Sequence, residues 1–261
     1  MNIDEIRIIE KEMVRILPIF FKEMVEYVPV NKRRSIEEMI KTNRANQLIG
    51  FDNGMGAWCD GEKIIFSAQN SELFLKMSED SEYGSNKEVT LVSNDNFIDN
   101  DKDYVDYMKY IKSKGMTELE YCLEILPHQI MHLIGSSGGL LGEGITELRT
   151  REICKKHDIK CAPVLHPKEM KLVRKIETVV GKMILNEASF LNDFSMVERI
   201  LGNKYGEEFF KKVYGELCID YRNYTSDRTP DPIEHYKKYR EIEFDKIYNL
   251  FETANDNENN K

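Results

Sequence analysis

The sequence predicts an α+β fold, with a small antiparallel or mixed sheet in its N-terminal part and a mostly helical C-terminal part. Three observations carry this prediction. Short β-rich runs separated by Asp, Asn and Gly turns occur between residues 47 and 66. From about Asp101 onward, apolar residues recur at helical spacing. A chain of 261 residues with 41% hydrophobic residues can bury the core of one or two domains.

Two helices and a group of strands are predicted before residue 100. Apolar residues from Ile6 to Phe20 follow the 3.6-residue period, and Pro29 is expected to close that helix. A second helix is predicted with Ser35 as its N-cap and an end at Asn46. Strands joined by hairpin turns, and one further strand, are predicted at 47–51, 56–59, 63–66 and 88–93.

The C-terminal part is predicted to be helical almost throughout. Thr117 and Glu120 have the spacing of a capping box at the start of one of these helices. The predicted helices cover residues 103–112, 117–134, 143–156, 168–185, 195–201, 206–221 and 233–251. We therefore expect a mixed N-terminal lobe at 1–115, a helical lobe at 116–254 and a disordered polar tail at 255–261.

Charge and cysteine content exclude several classes of protein. A net charge of -9 argues against nucleic acid as the main partner, because that binding needs a cationic surface. No apolar run is long enough to span a membrane, and the first residues are acidic where a signal peptide would be basic. The five cysteines are scattered and do not form a disulfide framework. The expected location is the cytoplasm.

The chemically informative segment runs from Pro127 to Leu148. Histidines four residues apart on a helix share one face, so His128 and His132 can offer two imidazole nitrogens to one metal ion. Glu143, at the start of the next predicted helix, can supply a third ligand. Glu147 lies one turn further on, where its carboxylate can accept the outer N–H of a ligating histidine. The segment therefore predicts a zinc site.

This pattern resembles the gluzincin metallopeptidases, in which an HExxH motif is followed by a glutamate ligand. The resemblance covers about twenty residues and implies a zincin-like fold, Zn²⁺ held by His128, His132 and Glu143, and Glu147 as the outer carboxylate. The rival metzincin pattern needs a histidine where this chain has Gly138. The implied activity is hydrolysis of a peptide or protein substrate by a zinc-activated water.

Gln129 departs from the family, since gluzincins have their general-base glutamate at this position. An amide cannot take a proton from water, so zinc binding should survive while hydrolysis is lost. Three explanations are open: a deliberately inactivated variant, a natural zinc-binding pseudoenzyme with an interaction or regulatory role, or an accidental match of the motif.

Gluzincins also use a downstream Tyr or His to stabilise the oxyanion. The sequence leaves the choice open, and the candidates are Tyr205, Tyr214, Tyr221, His166 and His235. The peptide itself is expected to pair with an edge strand of the sheet.

A second metal candidate combines Cys154, His157, Cys161 and His166, whose spacings permit a structural zinc site. The competing interpretation is that these are plain thiols and histidines near a helix C-terminus, where positive charge is favoured. Ser136 and Ser137 lack the elbow of a serine nucleophile and are expected to serve a flexible connecting loop.

Overall fold

The structure is a computed structural model that describes residues 3–52, 57–59, 61–67, 115–136, 139–162, 167–213, 249–251 and 253. The predicted strand at 88–93, the helix at 103–112 and the tail at 255–261 lie outside these residues, as does most of the sequence predicted to be helical after residue 213.

Two helices form the N-terminal part, and the bounds of the second differ from the prediction. Helix α1 spans Ile3–Met24 and buries the predicted apolar face. Helix α2 spans Val30–Lys41 rather than 35–46. Its N-cap is Pro29, which suits a helix start because its φ of -55° is already near the helical value. Ser35 lies inside the helix, so its prediction as N-cap was wrong.

A turn of 3-10 helix at Ala45–Leu48 leads into a three-stranded mixed sheet. Its strands are β1 (Ile49–Asp52), β2 (Ala57–Cys59) and β3 (Ile64–Ser67), in the order β1-β3-β2. The predicted β2–β3 hairpin is confirmed by their antiparallel pairing. The predicted β1–β2 hairpin was wrong, because β1 pairs in parallel with β3.

Burial explains why β3 is the central strand. Ile64 and Phe66 are both completely buried, so the strand that carries them gains most from having a neighbour on each side. Gly50 of β1 also makes room for β3, since a Cβ built on Gly50 would lie 2.7 Å from Cδ1 of Ile65. The turn residues between the strands do not indicate that β1 pairs with β3 rather than with β2.

Five further helices have both ends within the described part of the chain: α3 (Glu118–Ile134), α4 (Gly139–His157), α5 (Pro167–Val180), α6 (Lys182–Leu191) and α7 (Ser195–Tyr205). The single helix predicted at 168–185 is in fact α5 and the start of α6. The two helices are separated at Gly181, whose backbone φ of +87° is rarely adopted by residues other than glycine.

The chain falls into two compact units: Met1–Ser136 with Thr146–Pro167, and Ser137–Ile145 with Lys168–Lys261. Within the first unit, α3 packs against α1 and β2. The boundary predicted near residue 115 borders residues outside the described part and stays a prediction. Across the described ranges, none of the helices combines the length and hydrophobicity needed to cross a bilayer.

Candidate metal centre

His128 and His132 stand one turn apart on α3 with their rings at 70° to each other. Their Nε2 atoms lie 3.2 Å apart. Two nitrogens bound to one zinc in tetrahedral geometry, each at about 2.0–2.1 Å, lie about 3.4 Å from each other. The pair therefore already has nearly the separation that a shared zinc ion requires.

Helix α3 holds the pair because both its start and its packing are fixed. Thr117 Oγ1 accepts a hydrogen bond from Glu120 N at 3.2 Å, and Thr117 N donates to Glu120 Oε2 at 2.8 Å, which confirms the predicted capping box. Ile130 and Met131, between the two histidines, are fully buried. Pro127 lies inside this continuous helix.

Glu147 binds the outer nitrogen of His128, as the sequence predicts. His128 Nδ1 lies 3.1 Å from Glu147 Oε2, and both side chains are buried. Arg151 Nε donates to the other oxygen, Oε1, at 3.1 Å. Because a carboxylate only accepts, it holds the proton on Nδ1 and leaves the Nε2 lone pair of His128 for a metal. Arg151 was missed from the sequence, although its i,i+4 spacing from Glu147 could have revealed it.

Glu143 precedes Glu147 by one turn of the same helix, α4. One ligand atom each from His128, His132 and Glu143 lie within 4.8 Å of one another. Among the described residues, this is the one group of three or more side chains that could hold a metal ion. It is the set that the sequence predicts.

The sequence predicted that Ser136 serves a flexible loop, but the structure holds its side chain in place. It is buried, its Oγ lies 2.8 Å from Thr146 Oγ1, and the same Oγ lies 3.4 Å from His132 Nδ1. The turn is tight because Gly135, with a φ of +130°, ends α3 and Ser136 N donates back to Met131 O at 3.0 Å. Ser136 thus orients the outer nitrogen of the second histidine.

Gln129, where the resemblance places a general base, follows His128 directly on α3 and is buried. Its Nε2 donates a hydrogen bond to the carbonyl oxygen of Ala57, in strand β2, at 3.3 Å. Its Oε1 is buried without a hydrogen-bond partner among the described residues. An amide makes this contact with Ala57 as a donor, whereas an ionised carboxylate would oppose the carbonyl oxygen.

Gly144 has a packing role in the first turns of α4. A Cβ at this position would lie 2.6 Å from the carbonyl oxygen of Glu169 and 2.8 Å from Cγ2 of Val173. The absence of a side chain therefore allows α5 to lie directly against the first turns of α4.

The remaining predicted site residues are not brought to this centre by any described contact. Tyr205 packs in an aromatic cluster with Phe209 and Phe251, at ring-centroid distances of 4.6 and 6.1 Å. Tyr214, Tyr221, His166 and His235 lie outside the described residues. The assignment of an oxyanion donor stays a prediction.

The second metal candidate is not assembled among the described residues. His157 Nε2 lies 2.8 Å from Glu23 Oε1, so this histidine is engaged with a carboxylate of α1. Cys154 and Cys161 are free cysteines, and His166 lies outside the described residues.

Comparisons of the chain with protein-family models, with curated proteins and with solved structures found no match. Function is therefore inferred from the geometry of the metal centre and from the resemblance of its motif.

Proposed function

We propose that this chain is a zinc-dependent metallopeptidase of the gluzincin type in which Gln129 suppresses hydrolysis. His128, His132 and Glu143 are the proposed zinc ligands. The observation that carries the proposal is the 3.2 Å approach of the two histidine Nε2 atoms, together with the buried carboxylate of Glu147 on the outer nitrogen of His128. This is the arrangement that a tetrahedral N, N, O site needs.

The residues present fit zinc better than a hard cation. Two imidazoles and one carboxylate suit zinc, whereas magnesium and calcium take oxygen ligands almost entirely. Three protein ligands leave a fourth position open, which is typical of catalytic rather than structural zinc sites. When bound, zinc supplies Lewis-acid chemistry that activates water and a peptide carbonyl for hydrolysis.

The side chains around the proposed ligands explain how zinc would be held and why hydrolysis would be suppressed. Glu147 holds the Nδ1 proton of His128 and fixes its tautomer, while Arg151 holds Glu147. Gln129 Oε1 can accept a hydrogen bond from a water molecule but cannot remove its proton. Loss of a positioned acid-base group lowers the rate by about 10²- to 10⁴-fold.

One observation favours a second candidate function, a zinc-binding protein that binds peptides without cleaving them. The Gln129 amide donates to Ala57 O, which is a contact that an ionised glutamate cannot make. The fold therefore uses the amide of Gln129 in a way that a glutamate would not allow. Among the described strands β2 lies at the edge of the sheet, where an extended peptide can add by strand pairing. In either case we propose a cytoplasmic location, which the odd and scattered set of five cysteines favours.

The test is hydrolysis by the Gln129→Glu variant of the full chain, loaded with zinc and incubated with a mixed peptide library analysed by mass spectrometry. The peptidase proposal expects cleavage about 10²-fold or more above that of the unchanged chain. The matched control is Gln129→Glu combined with His132→Ala, which should be inactive. No cleavage by a folded, zinc-loaded Gln129→Glu variant would contradict the peptidase and favour the second candidate.

A further inference from the structure

Two cysteines outside the metal centre lie close together. Cys154 is in the last turn of α4 and is 2% exposed, whereas Cys161, in the segment after the helix, is only partly buried. Their side chains interact, and each thiol shifts the pKa of the other. Both are free, so the chain holds a reduced pair of sulfur atoms seven residues apart.

The backbone brings the pair together and keeps it there. Asp158, with a φ of +52°, ends α4 in the left-handed conformation, and Ile159 N donates to Cys154 O at 2.9 Å. The chain then turns back along the first unit. Ala162 is fixed at both ends, because its N donates to Glu124 O at 2.7 Å and its O accepts from Arg151 Nη2 at 2.9 Å. Cys161, its neighbour, is therefore held against the end of α4.

The two thiols differ in reactivity. The hydrogen bond from Cys154 lowers the pKa of Cys161, and the nearby Arg151 guanidinium acts in the same direction. The hydrogen bond to Cys161, together with burial, raises the pKa of Cys154. Burial opposes this lowering at Cys161 without reversing it. Cys161, the more exposed residue of the two, is thus the better nucleophile, and the buried Cys154 is placed to act as the resolving thiol.

We propose that Cys154 and Cys161 form a reversible disulfide, and that the site takes a low-molecular-weight disulfide of the glutathione type as its oxidant. The supporting observations are the backbone bond from Ile159 to Cys154, the partial exposure of Cys161 and the two hydrogen bonds that fix Ala162 beside it.

The exchange proceeds in two steps. Cys161 thiolate attacks one sulfur of the small disulfide, whose S–S bond breaks and releases one thiolate. Cys154 then loses its proton and attacks Cys161 Sγ, which forms the Cys154–Cys161 bond and expels the second thiolate. Two thiols are oxidised, one small disulfide is reduced, and the two protons pass to the two released thiols.

The site is independent of the metal proposal and is tested on the metal-free full chain. The chain is equilibrated with mixtures of reduced and oxidised glutathione, quenched by alkylation, digested without reductant and mapped by mass spectrometry. The proposal expects a peptide pair linked through Cys154 and Cys161 that disappears when reduced glutathione is in large excess. Recovery of both cysteines fully alkylated in every mixture would overturn it.

Variants separate the roles of the two sulfurs. Cys154→Ser should accumulate a glutathione adduct at Cys161, because the resolving thiol is gone, and Cys161→Ser should give neither the adduct nor the linked pair. Cys122→Ser removes another buried cysteine and is the matched control, with the linked pair expected to be unchanged. If Cys154→Ser does not fold, the peptide maps of the unchanged chain and of Cys161→Ser still test whether the Cys154–Cys161 disulfide forms. An adduct of Cys154→Ser located mainly at another cysteine would contradict the proposed order.

Discussion

The outer ring nitrogen of His128 lies 3.1 Å from a carboxylate oxygen of Glu147, with both side chains buried. Arg151 binds the second oxygen of that carboxylate and also donates to the carbonyl of Ala162. The His128 imidazole is therefore held by Glu147, and Glu147 is held by Arg151, in addition to the packing around the ring. Such contacts fix the tautomer and increase the basicity of a metal ligand.

Replacing Glu147 should weaken metal binding without removing a ligand. For Glu147→Gln we expect zinc affinity to fall by roughly 10- to 100-fold, because an amide holds the Nδ1 proton of His128 less strongly. Competition with a chromophoric chelator measures the affinity. Glu152→Gln is the matched control, since Glu152 is on the same helix and pairs with Arg149. Equal affinities in the two variants would contradict the role of Glu147.

The hydrogen bond from Gln129 to Ala57 should contribute to stability in the absence of metal. For Gln129→Glu at neutral pH we expect the free energy of unfolding to fall by about 1–3 kcal/mol, because a buried carboxylate would oppose the Ala57 oxygen. Denaturant titration measures it, and Gln47→Glu at an exposed position is the control. The difference should shrink at acid pH, where a protonated carboxyl can donate again. Unchanged stability at neutral pH would show that the contact is unimportant.

Gly144 should be required for packing. Alanine normally favours a helix by about 1 kcal/mol over glycine. At Gly144, however, its Cβ would lie 2.6 Å from the backbone oxygen of Glu169, so we expect Gly144→Ala to destabilise the chain by about 1–3 kcal/mol. Gly202→Ala, in α7, is the control, because a Cβ there would make only ordinary contacts of 3.4 Å or more. Thermal unfolding compares them, and a stabilised Gly144→Ala would contradict the packing.

Glu23 links α1 to the end of α4 and should make stability depend on pH. Lys156 and then His157, by hydrogen bonds to its charged form, lower the pKa of the Glu23 carboxyl. A carboxyl with a lowered pKa stabilises the fold above its unfolded pKa of about 4.3, and this contribution is lost as the pH falls through the folded value.

For Glu23→Gln we expect a loss of less than about 1 kcal/mol at pH 7, because the pair is partly exposed, and no difference from the unchanged chain in strong acid. Urea titrations across this pH range measure it. Glu26→Gln removes an exposed carboxylate without a described ion pair and is the control. A difference that persists in acid would exclude the ion pair as its cause.

The sequence predicted those parts of the centre that local rules determine. The capping box at Thr117 and the shared face of His128 and His132 follow from helix periodicity, and Glu147 follows from its position one turn beyond Glu143. These features need only one helix, or two consecutive helices, to be placed correctly.

Features that depend on distant packing were missed or wrong. The parallel pairing of β1 with β3 reflects the burial of Ile64 and Phe66, which turn residues do not encode. The role of Gly144 depends on α5, and the anchoring of Ser136 depends on Thr146 across a turn. Pro29 was correctly seen as a helix boundary, but it begins α2 rather than ending α1.

The most direct test of the central claim is zinc stoichiometry by elemental analysis of the purified full chain beside His132→Ala and Glu143→Ala. We expect about one zinc per unchanged chain and loss of zinc in both variants, because each removes one of three protein ligands. His157→Ala, which removes a histidine bonded to Glu23, should retain the metal. Absence of zinc from the unchanged chain, or its retention in both ligand variants, would contradict the site.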